Sequence, residues 1–552
     1  MTFRKWFLTA AMCLPCLPTS VQADPVRDLQ TQAIEKNHAD WGFWGPDEKN
    51  YMGWGSHSNR LIPIYTFGTK NAGPGITLDS YRGKNSPYAS EKELNRLFGQ
   101  VPAHTLNPDA PYCDQTNIFD IQKAALAAGK KHIILIVFDG TDWFTTWEAA
   151  IYKNQNVSFT SGRGNGLHMM DYDAKGTTEY GWMVTTPWCD DADVDVNTQK
   201  VLKIDELLRG GYAFKVAGTE PWSICTDLPY PISKSTVPTY KQAYTDSASS
   251  AASMTSGVKT YNASINVDIH GKQHETVAYS AQKKGYQVGV VTSVPISHAT
   301  PSAAYSHNVH RDDYQDLSRD LLGLPSVSHP DQPLPGVDVL LGCGFGVTRP
   351  KDAKQGDNFV PGNAYLTEED QQKIDVRNGG KYVVSLRTEG VVGVEGLKEK
   401  AEEAAAGGHR LFGFYGVKSG HLPFRTADGK FDPTIGRRKT AEKYTPEDIK
   451  ENPTLAEMAT VALDYLNRDS KPFWLMVEAG DVDWANHDNN IDNSIGAVLS
   501  GDAAVKAVTD WVEKNSSWDE TVVIVTADHG HYLHLTKPEV LIQTKNAAAA
   551  AE

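Results

Sequence analysis

The stretch His132-Ile-Ile-Leu-Ile-Val-Phe-Asp-Gly140 decides the fold class. From Ile133 to Phe138 it is an unbroken apolar run rich in β-branched residues, with no alternating polar face. That pattern is a parallel strand buried on both sides. Asp139 follows at once, so a carboxylate stands at the strand's C-terminal end. In open α/β sheets ligands bind at that edge.

Working outward, the same unit recurs. Residues 286–293 read as a strand preceded by a helix over 274–284, and 337–342 and 410–415 read as shorter strands. An amphipathic helix over 455–467 leads into a strand over 472–478, and a helix over 502–515 into a strand over 521–526. This alternation predicts an α/β fold with a mostly parallel central sheet sandwiched by helices. We read residues 123–540 as the main domain, with insertions over the active edge at 142–245 and 344–455. Residues 24–122, rich in Trp, Tyr, Gly, Asn and Pro and poor in helical period, read as an irregular decorating segment. Residues 541–552 end in an alanine run and read as a flexible tail.

A chain of 552 residues with 40% hydrophobic content can bury a large α/β core. The formal charge of −15 argues against nucleic acid as a partner, since phosphate backbones require basic patches. It leaves phosphorylated small molecules open, because bound cations make a site locally positive. Arg4 and Lys5, the apolar run over 6–17 and Val21-Gln22-Ala23 read as a secretory signal over 1–23. That run is too short to span a bilayer, and no later stretch is long enough. The expected location is periplasmic or secreted. In an oxidising compartment Cys113, Cys189, Cys225 and Cys343 allow two disulfides in three connectivities, with Cys189–Cys225 the pair suggested by proximity along the chain.

Three strand ends carry residues of metal-ligand type: Asp139; Glu478, Asp483 and His487; and Asp528, His529 and His531. Carboxylate oxygens and imidazole nitrogens suit zinc and magnesium. Between them lies Thr245-Asp246-Ser247, which opens a block of small residues closing at Gly257. A serine at a helix N-terminus meets unsatisfied N–H groups and the positive end of the helix dipole, a natural phosphate cradle. Ser297-His298-Ala-Thr300-Pro301 follows another strand, with Arg311 beyond it. Guanidinium is the side chain best shaped to hold two phosphoryl oxygens.

Together these motifs resemble the metal-dependent alkaline phosphatase family over about residues 130–535. Thr245-Asp-Ser-Ala…Thr255-Ser-Gly-Val-Lys-Thr-Tyr-Asn resembles its nucleophile helix, and the Glu478, Asp483, His487 spacing and Thr526-Ala-Asp-His-Gly-His resemble its metal-binding strand ends. The resemblance implies an exported phosphate-monoester hydrolase working through a phosphoserine at Ser247, with two zinc ions and one magnesium. It implies one zinc on Asp139, Asp528, His529 and Ser247, and a second on Asp483 and His487. It implies magnesium on Asp139, Thr300 and Glu478, and phosphate binding by Arg311 with Asp246. His531 would orient a carboxylate. A serine hydroxyl is a weak nucleophile at its free pKa, so metal activation fits the chemistry. By analogy with the family, a homodimer is implied.

Two features depart from the family pattern. His298 and Trp484 stand where some members carry a carboxylate and a lysine, a pair that resembles a bacterial variant. The family's second zinc takes a further histidine well after the Asp-His strand, and nothing after His529 supplies that motif. His531, His534, His307, His310 and His421 are candidates to replace it. The alternatives are a phosphodiesterase of the same superfamily, or a phosphate- or metal-binding relative with a decayed second zinc site. A sulfatase reading fails because Ser247-Ala-Ser-Ser-Ala lacks the Cys/Ser-x-Pro-x-Arg context.

Overall fold

An apolar run with no polar face needs cover on both sides, and such runs form the middle of one ten-stranded sheet. A computed structural model describes residues 24–43 and 57–542. The secretory signal read over 1–23 lies outside the described residues, as does the tail beyond residue 542. In chain order the strands are β1 (Ile62–Phe67), β2 (Cys113–Asp114), β3 (His132–Phe138), β4 (Glu179–Val184) and β5 (Gln287–Pro295). Then come β6 (Val339–Cys343), β7 (Tyr382–Leu386), β8 (Arg410–Phe414), β9 (Phe473–Ala479) and β10 (Thr521–Ala527).

Across the sheet the order is β7-β8-β6-β5-β9-β3-β10-β1-β4-β2. Every pair from β7 to β10 is parallel, as the sequence pattern predicts. β1 then runs antiparallel to β10, and β4 antiparallel to β1. Helices that position the site or the sheet are α1 (Pro25–Lys36), α2 (Glu91–Phe98), α3 (Thr116–Ala127), α4 (Ser247–Ser256) and α5 (Ala299–Ala303). They continue with α6 (Tyr314–Leu322), α7 (Gly393–Gly407), α8 (Asp481–His487) and α9 (Ile491–Asn515). No helix among the described residues is long and apolar enough to cross a membrane.

The central register fixes the functional edge. Phe138 on β3 stands level with Ala479 on β9 and Ala527 on β10. Asp139, Asp528 and the turn into α8 therefore leave the sheet in one row, with Glu478 one residue below.

The structure differs from the sequence reading in four places. The stretch 24–122 contains α1, α2, most of α3 and a wholly buried strand, β1. Pro63 hides β1 from the pattern, but it lies just past the β10 pairing, where its missing N–H costs nothing and its carbonyl accepts from Thr526 Oγ1 at 2.8 Å. The stretches read as insertions supply β4 on one side and β7 with α7 on the other, so part of each extends the sheet. Helix α9 starts well before residue 502. Gly496 and Gly501 weaken its helical pattern, yet a Cβ there would meet Arg425 O at 1.9 Å and Phe138 Cε1 at 2.3 Å. All four cysteines in the described residues are free, so Cys189–Cys225 is not a disulfide. Cys189 packs with Trp188 and Tyr261, whereas Cys225 lies against the separate cluster around Tyr212.

One buried amide ties the sheet to α4. Gln122 on α3 donates to Met254 O on α4 at 3.0 Å and accepts from Trp474 Nε1 on β9 at 2.8 Å. Gln122→Leu leaves the indole N–H and the carbonyl unpaired in the core, each at about 1–3 kcal/mol. We expect a lower thermal midpoint by circular dichroism, and an unchanged midpoint would show the link to be dispensable.

Candidate active site

Asp246 caps α4 by accepting the Ser249 N–H at 2.9 Å on Oδ1, which makes Ser247 the helix's first residue. Every residue of α4 is buried, and Ala248 and Ala251 pack directly on Ala299 and Ala303 of α5. Small side chains thus bring the helix end down onto the sheet edge. Ser247 Oγ lies 3.2 Å from Asp139 Oδ1 and 3.2 Å from His529 Nε2. Ser250, one turn on, donates to Asp528 Oδ2 at 3.3 Å.

Asp139, Asp528 and His529 each offer one atom within 4.8 Å of the others. Asp528 is held by the Gly140 N–H at 2.9 Å and its own neighbour's N–H at 2.8 Å. Gly140 has a φ of +70°, and a Cβ on it would stand 2.7 Å from Asp483 Cα, so only glycine lets β3 and α8 approach this closely. Asp483 Oδ1 accepts from His531 Nε2 at 2.9 Å and lies 3.3 Å from His487 Nε2, one turn along α8.

The unexpected member is His57. Residues His57–Ser58 pair antiparallel with Gly530–His531, which sets His57 opposite His531. Its Nε2 stands 3.1 Å from His487 Nε2 and 3.9 Å from Asp483 Oδ1. Its Nδ1 donates to Thr245 O at 2.8 Å, which leaves the Nε2 lone pair facing the cluster, the usual arrangement of a metal-ligating imidazole. Of the candidates read from the sequence, His531 belongs to this same group with His57, Asp483 and His529, and the others lie elsewhere. His534 packs on Phe144, His421 pairs with Glu442, His310 accepts from the Asp312 N–H, and His307 joins Asp320 and His329. His57 has no informative spacing to any other ligand, so only its pairing across the fold identifies it.

Near Asp139, three buried oxygens have no hydrogen-bond partner among the described residues: Asp139 Oδ2, Glu478 Oε1 and Thr300 Oγ1. Orphaned buried oxygens of this kind fit a hard cation. Electrostatics agrees. Burial, reinforced by Asp528, Asp483 and Glu478, drives the Asp139 carboxyl well above the ordinary range. Burial likewise pushes Glu478 up to about 8, although Thr292 donates to it. Burial also works against the Asp483 carboxylate, but its imidazole neighbours, His487 foremost, outweigh it and keep Asp483 well below the ordinary range. So much buried like charge calls for cations, and the oxygen and nitrogen donors present suit zinc and magnesium.

Arg311 bonds Asp246 Oδ2 through Nη1 at 3.0 Å, and its Nη2 lies 3.5 Å from His298 Nε2. Burial and Arg311 press His298 down to about 3, so the ring is neutral at ordinary pH. Trp484 meets it edge-on, with centroids 5.8 Å apart. A cavity of about 690 Å³ opens above, lined by His57, Ser247, Arg311, Trp484, Arg437 and Arg438 among others.

A family described as alkaline phosphatase matches residues 223–550, a span that holds Ser247, Arg311 and every candidate metal ligand except His57 and Asp139. Alkaline phosphatase 4 of Bacillus subtilis is 31% identical over 288 residues, covering 52% of this chain and 49% of that one. The alkaline phosphatase of Escherichia fergusonii is 30% identical over 321 residues, covering 56% and 64%. The chain thus spans about half to two thirds of the length of these relatives. The crystal structure of Thermus thermophilus alkaline phosphatase aligns with a TM-score of 0.43 at 21% identity, over 73% of this chain and 60% of that one.

The buried acids make the metal-free protein pH-sensitive. Glu478 titrates near 4.5 unfolded and about 8 folded, and Asp139 shifts the same way, so the folded state binds more protons and stability falls as pH rises. Buried neutral histidines such as His57 and His298 act oppositely, but only below their unfolded value of 6.5. The thermal midpoint of chelator-treated protein should therefore drop from about pH 7 to about pH 8.5 and level out once zinc and magnesium are restored. A metal-free midpoint that stays flat or climbs over this window would contradict the charge balance.

Proposed function

Because the chain belongs to the alkaline phosphatase family, we propose that it hydrolyses phosphate monoesters with Ser247 as nucleophile and a phosphoserine intermediate. The observation that carries this reading is Ser247 Oγ at the head of α4, 3.2 Å from both Asp139 and His529. Asp139, Asp528 and His529 would hold one zinc, and Asp483 and His487, completed by His57, the second. Asp139, Glu478 and Thr300 would hold magnesium. Bound there, such cations offset the acid charge and stabilise oxyanions at the nucleophile and the leaving group.

The chain's own groups do the rest. The α4 N-terminus presents backbone N–H groups to a phosphoryl group beside Ser247. Arg311 can turn its fork toward two phosphoryl oxygens while Asp246 fixes its direction and caps the same helix. His531 holds Asp483 in place, so its role is positioning. Neutral His298 and Trp484 wall the anion site without adding charge. The wide cavity, with exposed Arg437 and Arg438 at its lining, suits monoesters of varied leaving group. Residues 1–23 support export as a further part of the proposal, and family habit a homodimer.

Hydrolysis of p-nitrophenyl phosphate with zinc and magnesium present tests the assignment. Ser247→Ala should lose at least about 10³-fold in kcat with the fold intact. His57→Ala should bind one zinc equivalent fewer by metal analysis and regain part of its activity in excess zinc. Undiminished turnover in Ser247→Ala removes the nucleophile, and full zinc content in His57→Ala removes the third ligand.

A further inference from the structure

A second cluster of ligand-type side chains lies away from the site described above. His307, Asp320 and His329 each offer one nitrogen or oxygen within 4.8 Å of the others. They come from three segments. His307 lies between α5 and α6, four residues before Arg311; Asp320 is on α6; and His329 is on the loop that follows.

His307 is 5% exposed, and its Nε2 donates to His274 O at 2.8 Å. A carbonyl only accepts, so the Nε2–H tautomer is fixed and Nδ1 carries the lone pair. That Nδ1 is buried with no partner among the described residues. An acceptor buried without a donor is costly, whereas a carbonyl-oriented imidazole with a bare nitrogen is the form that binds metal. Asp320 is fully buried, and its Oδ2 accepts the His307 N–H at 3.0 Å. Its Oδ1 accepts from Ser326 Oγ at 2.6 Å and lies 2.9 Å from His329 Nδ1. The two imidazole rings stand 5.3 Å apart at 67°.

We propose that His307, Asp320 and His329 form a structural zinc site that pins the segment carrying Arg311 to α6. Two imidazoles and one carboxylate are a zinc donor set, with water filling the fourth tetrahedral position. A lone carboxylate among nitrogens suits calcium and magnesium poorly. Zinc at about 2.0–2.1 Å from each ligand sets neighbouring ligand atoms roughly 3.3 Å apart, so atoms that now lie within 4.8 Å of one another close by up to about 1.5 Å on binding. His329, on a loop and partly exposed, supplies that movement. Its ring binds through Nδ1 as the neutral Nε2–H tautomer, which gives up the present bond to Asp320.

The experiment compares zinc content of the full-length protein and His329→Gln, both stripped and reloaded with zinc side by side. The variant should carry one equivalent less and melt at a lower temperature. Crystals of the wild type soaked in zinc should show an anomalous peak between His307 Nδ1, Asp320 and His329, a readout that holds even where the variant folds poorly. Equal zinc content in the two proteins, or a wild-type crystal with no peak there, overturns the site.

Discussion

Four carboxylates share one pocket: Asp139, Glu478 and Asp528 are fully buried, and Asp483 is 4% exposed. At such separations, in a low-dielectric interior, they repel strongly enough that the folded chain alone cannot keep them all ionised. Burial first and that repulsion second raise the Asp139 and Glu478 carboxyls, and the depressed Asp483 records the opposing ring of imidazoles. Acid on one side and histidine on the other divide the pocket into an oxygen-rich half and a mixed half. This is the physical reason for expecting a hard cation beside Glu478 and softer ones beside the histidines.

Holding that charge together takes a rigid frame. Three parallel strands in strict register, β9, β3 and β10, put the acids in one row, and hydrogen bonds from Gly140 and His529 N–H fix Asp528 within it. Helix α4 contributes its end, where the dipole and free N–H groups oppose the acid field. Its serine and alanine faces let it sit close enough for Ser247 to touch Asp139. Bulkier residues on α4 would lift Ser247 away from Asp139.

Much of this was legible in sequence because the information is local. A buried parallel strand announces itself by an apolar run, and Asp139, Glu478 and Asp528 follow such runs directly or sit inside them. Asp483 and His487 lie one helical turn apart, so their spacing alone puts them on one face. The Asp246-Ser247 cap and the small-residue block place Ser247 in the same way. The unread parts depend on distant pairing. β1 carries a proline, so only its pairing with β10 and β4 makes it a strand. β7 is five residues between polar turns, and its partner lies beyond α7. Cys189 and Cys225 look close along the chain but face different clusters.

His57 shows how a site depends on space and not on order along the chain. The family resemblance places the third imidazole after the Asp-His strand, and the sequence offers His531, His534, His307, His310 and His421 in its stead. Instead the proposed ligand, His57, comes from a segment over 400 residues earlier, brought in by the two-residue ladder of His57–Ser58 against Gly530–His531. The same segment runs on into β1, which pairs with β10, the strand that ends at Asp528. Ligand and strand therefore arrive as one unit, anchored on both sides of Asp528 and His529. A lone loop histidine would lose conformational entropy on being ordered, about 1–2 kcal/mol per fixed residue. Here the antiparallel pairing and the Nδ1 bond to Thr245 O settle that cost during folding, before any cation arrives.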